Sequence, residues 1–417
     1  MKNKLNLLFI TYYFPPLGGG GVQRTLKFIK YLNKNKYNIC VLTVKTNFIR
    51  YTKDYSLLMD IPENIKVYRC FYPDINWFYS LLYKLNLTKI VKFIEKHFMI
   101  PDNKRFLFNF SKNKLNNIIT NNKIDTVYIS APPFSLYRFA IYIKLHYKIK
   151  IITDFRDFWT DNFDMINKNI SKKRMNIESY YEKILIYSSD YIITATDYMN
   201  KVIKDKYILR NIKTITNGYD KDDFKNINFR KKNTGILNFS YTGSIYGHQI
   251  PNNLFEAIYN FTKNGLYPNV MFSFYGNIEK NSIDINNKAK IFIRFNKYLE
   301  HNKIINILKN SNILILYIGG YNKNNIGILT GKLFEYLYSN KHILFIGPTG
   351  EASNIIKKCK AGFIVSDNHK EITNILKIIY NKWENYNLNM NSNIREISKY
   401  DRKILTKTLE NILDNIL

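Results

Sequence analysis

The chain has 417 residues, 46% of them hydrophobic and 23% charged, which is enough for two or three domains with sizeable cores and excludes a disordered chain. Its three cysteines, Cys40, Cys70 and Cys359, are scattered without a CxxC pair, and its six histidines show no HxxxH-type spacing; a disulfide framework and a thiolate zinc site are excluded, and no metal is expected. The formal net charge of +31 favours anionic partners such as nucleic acid, a negatively charged membrane face or phosphorylated substrates, although a composition crowded with Lys, Asn, Ile and Tyr accounts for part of it.

Behind Met1-Lys2-Asn3-Lys4, residues 5–10 form an apolar run shorter than the ~7–15 residues of a secretory leader, and Thr11-Tyr12-Tyr13-Phe14-Pro15-Pro16 follows where a cleavage site would stand. No uninterrupted apolar stretch of ~18 residues occurs later, so no spanning helix is expected. The expected location is cytoplasmic, free or peripheral on the inner face of the plasma membrane.

Residues 6–11, 39–44, 126–130, 150–154 and 191–195 read as short buried strands, with helices at 23–32 and 175–188. The pattern then restarts with strands at 239–243, 271–275, 291–295, 313–317, 343–346 and 363–365 and helices at 251–260 and 303–309. Short apolar strands separated by helices predict parallel sheets covered on both faces. The polar segment 225–234 marks the join. The expected architecture is α/β: a first Rossmann-like domain over 1–225, a second over 235–395, a cleft between them, and a closing helix within 396–417 packing back toward the first. In doubly wound sheets ligands sit beyond the carboxyl ends of the strands, so the residues just after each strand are the candidates.

After the first strand comes Pro15-Pro16-Leu17-Gly18-Gly19-Gly20-Gly21-Val22-Gln23-Arg24. Four glycines allow close backbone approach and bare the amides of a helix N-terminus to an anion; a flexible strand-to-helix turn is the alternative. It is no GxGxxG fingerprint, because Gln23 stands at the last position. After the fourth strand, Thr153-Asp154-Phe155-Arg156-Asp157-Phe158-Trp159 offers two carboxylates and a guanidinium that could orient sugar hydroxyls, or an Arg–Asp pair that pins the loop. Pro132, in Ser130-Ala131-Pro132-Pro133, ends another strand facing the expected cleft. Farther on, Thr330-Gly331-Lys332-Leu333-Phe334-Glu335-Tyr336 reads as a loop entering an amphipathic helix, with Lys332 and Glu335 on one face; an exposed ion pair is the plain alternative. It is no Walker A loop, since Ile326 and Leu333 occupy its first Gly and Ser/Thr positions. Asp220-Lys221-Asp222 lies in a turn near the join, not at a strand end where a metal–nucleotide site would need it.

Together these segments resemble the retaining glycosyltransferases of the GT-B fold, of the family-4 type found in bacterial surface-polysaccharide synthesis. The resemblance spans nearly the whole chain and adds Thr216-Asn217-Gly218-Tyr219-Asp220, Tyr241-Thr242-Gly243-Ser244-Ile245-Tyr246 and Ile346-Gly347-Pro348 to the blocks above. It implies that the second domain holds a nucleotide-diphosphate sugar and the first holds a saccharide or lipid-linked acceptor. Glu335 would accept hydrogen bonds from the donor ribose; Thr330, Gly331, Lys332 and Leu333 would surround the diphosphate, joined by Gly243 and Ser244. Tyr298 would lie at the nucleobase, and Gly18, Gly19, Gly20 and Gly21 would close over the donor's phosphate and sugar. Asp157, counted with the catalytic residues, could orient the acceptor or the donor sugar, and Asp154, Arg156 and Pro132 would orient the acceptor or sugar. Two positions depart from the family pattern: Gly327 stands where an earlier Glu is common, and Ser244, His248 and Gln249 stand where an Arg and a Lys usually clamp the diphosphate.

The implied chemistry is front-side transfer with retention, no metal and no protein nucleophile, which fits the lack of any Ser/His/Asp or Cys/His arrangement. Residues 76–100 combine Trp77, Phe78, Leu81, Leu82, Leu85, Ile90, Phe93 and Ile94 with Lys84, Lys89, Lys92 and Lys96, and read either as a basic amphipathic segment for an anionic membrane surface or as a buried helix pair. No nucleic acid is expected, because the basic and aromatic residues are dispersed. A sugar-nucleotide epimerase, an anion- or nucleic-acid-binding protein and an inactive scaffold are the alternatives.

Overall fold

The computed structural model describes residues 4–162, 170–225, 235–279, 283, 285–319 and 323–416, without the side chains of His248, Lys323 and Asn324. It divides into two compact units, one of Met1–Thr216 with Arg402–Leu417 and one of Asn217–Asp401.

In the first unit, seven strands alternate with helices: β1 (Leu5–Ile10), α1 (Gly20–Tyr31), β2 (Tyr37–Val44), β3 (Lys66–Cys70), α2 (Asn76–Lys84), α3 (Thr88–His97), α4 (Leu107–Asn121), β4 (Thr126–Ala131), α5 (Tyr137–His146), β5 (Lys150–Phe155), α6 (Lys172–Ser188), β6 (Tyr191–Thr194), α7 (Asp197–Tyr207) and β7 (Ile212–Thr214). They form one sheet in the order β3-β2-β1-β4-β5-β6-β7, every pairing parallel. Helices on both faces explain why β4 is buried at every position while β1 and β5 are buried over most of their length. The two strands the sequence does not announce, β3 and β7, are the sheet edges. Only Cys70 of β3 is fully buried and no residue of β7 is, so neither carries a continuous apolar run.

The second unit contains β8 (Leu237–Thr242), α8 (Asn252–Thr262), β9 (Val270–Tyr275), β10 (Ile293–Asn296), α9 (His301–Asn310), β11 (Ile313–Tyr317), α10 (Gly331–Tyr338), β12 (His342–Ile346), α11 (Glu351–Lys358), β13 (Gly362–Val365), α12 (His369–Glu384) and α13 (Ile394–Ser398). Its sheet runs β10-β9-β8-β11-β12-β13, again all parallel. In each sheet the strand order reverses once, between β1 and β4 and between β8 and β11, and a doubly wound sheet opens its binding crevice at that switch point.

The division falls at Thr216, earlier than the expected boundary at 225; of the expected join 225–234, all but Lys225 lies outside the described residues. The earlier boundary has a packing cause. Tyr219 stacks on Tyr338 with centroids 4.3 Å apart, and Phe224 packs edge-on against the same ring at 4.9 Å, so 217–225 belongs to the second core. At the other end α13 stays with the second unit, while α14 (Arg402–Asn415) buries Leu409, Ile412 and Leu413 in the core of the first. Tyr37 Oη donates to Asp414 at 2.7 Å, and the Asn33 amide donates to Glu410 at 2.7 Å, fixing that helix.

All three cysteines are buried. Burial pushes the Cys40 thiol up to about 12 and the Cys359 thiol up to about 11, and raises Cys70 as well. A thiol-reactive disulfide reagent at pH 8 is therefore expected to leave the native protein unlabelled and to titrate three thiols once urea unfolds it, the thiolate fraction of Cys359 being about a thousandth in the fold.

Candidate functional site

In the first unit the carboxyl ends of β1, β4 and β5 meet at the switch point. The turn after β1 is held from outside: the Gly18 amide donates to Thr52 O and the Asp54 amide to Pro16 O, both at 2.8 Å. Gly19 closes it at φ +85°, a conformation that favours glycine, and caps α1. Gly19 and Gly20 are exposed, whereas Gly18 is buried.

Asp154 is not available to a ligand. It is 0% exposed, and both its oxygens accept from Arg24, itself 1% exposed, through Nε and Nη2 at 2.8 Å. Burial alone would lower the Arg24 pKa, but the charge and hydrogen bonds of Asp154 hold it above its ordinary value. Arg24 Nη1 also donates to Thr216 O at 2.9 Å. The expectation that Asp154 orients a sugar is thus replaced by a buried pair joining α1 to β5. Arg156 is a bracket as well: its guanidinium donates to the carbonyls of Gly21 and Pro132 and lies over the Tyr13 ring, 5.5 Å from its centroid. It therefore ties the glycine turn to the turn after β4, and Pro132 serves as the acceptor in that tie. Asp157, next along, is exposed. Behind the turn, Trp159 stacks on Phe134 at 4.6 Å and donates to Glu178 at 2.7 Å; burial raises the Glu178 pKa, with Trp159 and Arg174 opposing it.

In the second unit the switch point brings together the end of β8 and the start of α10. Tyr336 Oη, fully buried, bonds Thr242 Oγ1 at 2.8 Å and accepts from the Thr242 amide at 3.2 Å, fastening the helix to the strand. Thr330 occupies the N-cap position but makes no side-chain cap bond, and its Oγ1 is buried without a partner among the described residues. The Leu333 amide turns back to Thr330 O at 3.2 Å, while helix geometry leaves the Gly331 and Lys332 amides without intrahelical acceptors. Those amides and the helix dipole make a place for negative charge.

Lys332 lies over this end of β8. Its Nζ donates to Tyr241 Oη at 3.2 Å and sits 4.4 Å from the ring centroid, and Tyr241 in turn donates to Ser244 O at 3.2 Å. Gly243 makes the arrangement possible: at φ +139°, a Cβ there would stand 2.3 Å from Lys332 Nζ. Glu335, one turn along α10 and partly buried, has Oε1 3.9 Å from His301 Nδ1; His301 Nε2 in turn lies 3.0 Å from Asp223 Oδ2.

The second unit therefore gathers Gly243, Ser244, Thr330, Gly331, Lys332 and Glu335, and Tyr298 is partly buried in the loop between β10 and α9. Leu333 is the exception: its side chain is fully buried in the core and its amide is used within the turn, so it can line nothing. Sequence reasoning missed His301 and Asp223 beside Glu335, since three residues so far apart in the chain share no pattern, and it missed Tyr241 as the seat of Lys332. Asp220 accepts from the Asp222 amide at 2.9 Å, and Asp222 pairs with Lys225 at 2.7 Å.

Two all-parallel α/β units of this order define the GT-B architecture. Solved structures of that shape include WaaG, described as a glycosyltransferase involved in lipopolysaccharide biosynthesis, at a TM-score of 0.63 and 11% identity over 98% of this chain and 100% of that one. HepE from Anabaena, in complex with UDP and glucose, matches at 0.60 and 12% over 98% and 99%. A putative UDP-N-acetylglucosamine 2-epimerase from Listeria monocytogenes matches at 0.54 and 11% over 98% and 95%. At such identities the likeness is one of fold. No family model matches the chain. A curated protein described as reticulocyte-binding protein homolog 1 of Plasmodium falciparum aligns at 25% identity over 97% of this chain, but the chain spans only 14% of its length.

Proposed function

We propose that the protein is a glycosyltransferase that moves a sugar from a nucleotide-diphosphate donor to a saccharide or lipid-linked acceptor, in the synthesis of a capsule, O-antigen or other surface polysaccharide at the cytoplasmic side. The observation that carries this reading is the start of α10, where Thr330 Oγ1 is buried without a partner among the described residues and the first-turn amides stand beside Lys332. This is a receptor for a diphosphate. Glu335, one turn farther on, is spaced to take a vicinal diol, and the UDP complexed with a neighbour of the same fold is a molecule with both parts.

In this mechanism the bond between the sugar's anomeric carbon and the diphosphate oxygen breaks first. Negative charge grows on the departing diphosphate, and the α10 amides and Lys332 stabilise it as it grows, without a metal. The acceptor hydroxyl attacks from the same face, its proton passes to a diphosphate oxygen, and the new glycosidic bond retains configuration. Asp157 orients the acceptor and Tyr298 lies against the base.

A melting screen against UDP-, GDP-, ADP- and dTDP-sugars tests the reading. A true donor at about 100 times its dissociation constant stabilises the folded state by ~2.7 kcal/mol, enough for a shift of several degrees. No shift with any of the four sinks it. The fold likeness to a 2-epimerase keeps one further reading alive, and formation of an isomerised sugar nucleotide with no acceptor present would select it.

A further inference from the structure

Helices α2 and α3 form a hairpin of the first unit that hides little. Tyr79, Leu82 and Val91, with Ile75 and Ile94 partly covered, make a small cluster separate from the main core. The outward side is the more apolar one. Trp77, Phe78 and Leu81 follow one face of α2, Leu85 stands just past its end, and Ile90 and Phe93 follow one face of α3; each is 44–59% exposed. Soluble surfaces scatter such side chains singly, and a contiguous set marks an interaction site.

The charges are placed with the same regularity. Lys89, Lys92 and Lys96, all exposed, recur at i, i+3 and i+7 beside the Ile90–Phe93 stripe and away from buried Val91, and Lys84 ends α2. Glu95 is the hairpin's single acidic residue. The Arg50 guanidinium lies 4.2 Å from the Trp77 ring centroid, and Trp77 Nε1 donates to Phe48 O at 2.9 Å, so the largest ring is held in place under another cation. At the far end Arg174 Nη1 donates to the carbonyls of Glu95 and Lys96 at 2.9 and 3.2 Å, fastening α3 to α6. The surface is apolar and basic at once.

We infer that this hairpin docks the protein onto an anionic phospholipid bilayer, the apolar stripe entering the headgroup boundary and the lysines reaching along it to the phosphates. Long lysine stems are suited to that geometry. A second copy would satisfy the rings but set one lysine stripe against another, whereas a bilayer offers acyl chains and phosphates together. Helices of nine and ten residues are too short to cross the ~30 Å hydrocarbon layer, and among the described residues no helix is long and apolar enough to do so. The surface therefore lies on a membrane, and it does so whether or not α10 binds a sugar nucleotide.

The test uses the full chain with vesicles of phosphatidylcholine alone or with about one-third phosphatidylglycerol. The protein is expected to sediment with the anionic vesicles, to be released by salt, and to show a blue shift of tryptophan emission that Trp77→Phe removes. Each lysine near such a surface multiplies partitioning by roughly five, so Lys89→Gln/Lys92→Gln/Lys96→Gln is expected to weaken binding about a hundredfold. Leu81→Gln/Phe93→Gln weakens it too, without moving the melting midpoint, because both positions are exposed. No preference for anionic vesicles, or binding indifferent to both variants, overturns the inference. So does a dimer that Leu81→Gln/Phe93→Gln dissociates while lipid binding is absent, which would give the face to a second copy.

Discussion

Lys332→Ala is expected to lower the transfer rate by roughly 10²–10³, the loss typical when one preorganised donor to a developing oxyanion is removed, with the melting midpoint nearly unchanged because Lys332 is only partly buried. Glu335→Gln is expected to act differently. It keeps the shape but turns a charged acceptor into a neutral one, costing about 1.5–3 kcal/mol of interaction with the ribose and appearing in KM as much as in kcat. Gly243→Ala supplies an internal check. The added methyl would stand 2.3 Å from Lys332 Nζ, and since that atom ends a flexible side chain, the ammonium moves aside. The variant should therefore lose activity nearly as far as Lys332→Ala, plus about 1–2 kcal/mol of stability from a side chain at positive φ. The double variant Gly243→Ala/Lys332→Ala should be no slower than the worse single one, since both remove the same interaction. Steady-state transfer with the donor found by melting measures all four. Turnover near wild type in both Lys332→Ala and Glu335→Gln would remove the assignment of α10 as the diphosphate site.

The parts of the fold legible in the sequence are those where chemistry and periodicity are local. A strand such as β11 is buried on both faces and so reads as an unbroken apolar run, while β3 and β7 lie at the edges and could only be seen in place. The Thr330–Glu335 block could be singled out as a candidate because its groups lie within two helical turns. The roles of charged residues were not legible, because a guanidinium or carboxylate looks the same in a sequence whether it meets a ligand or another side chain. Arg156 uses its donors on the carbonyls of Gly21 and Pro132, and His301, at the start of α9, comes to within 3.9 Å of Glu335 only in the folded chain. Leu333 illustrates the converse error, a residue inside the proposed donor-binding block whose side chain belongs to the core.

The largest stability effect is expected at Arg24 and Asp154. Arg24→Ala leaves a fully buried carboxylate with its principal partner gone, and Asp154→Asn leaves a buried guanidinium facing a neutral group; breaking a buried pair from one side typically costs about 3–5 kcal/mol. Against a total of about 5–15 kcal/mol for a folded domain, either change brings the first unit close to unfolding at physiological temperature. In a Trp77→Phe/Trp383→Phe background, urea titration followed by the emission of Trp159, buried in that unit beside Phe134, reports it separately from the second unit. The comparison that decides the cause is Arg24→Met/Asp154→Leu. If the singles fail because each strands a charge, removing both charges should recover much of the loss; if they fail because the bidentate geometry itself holds α1 against β5, the double variant should be as unstable as either. Singles within about 1 kcal/mol of wild type would mean that water reaches the pair despite its near-zero exposure, and would overturn this account. The same result bears on the glycine turn, because α1 begins there and Arg24, with buried Val22 and Leu26, holds its first turns against the sheet. A variant that retains fold but frees α1 should therefore lose transfer before it loses secondary structure.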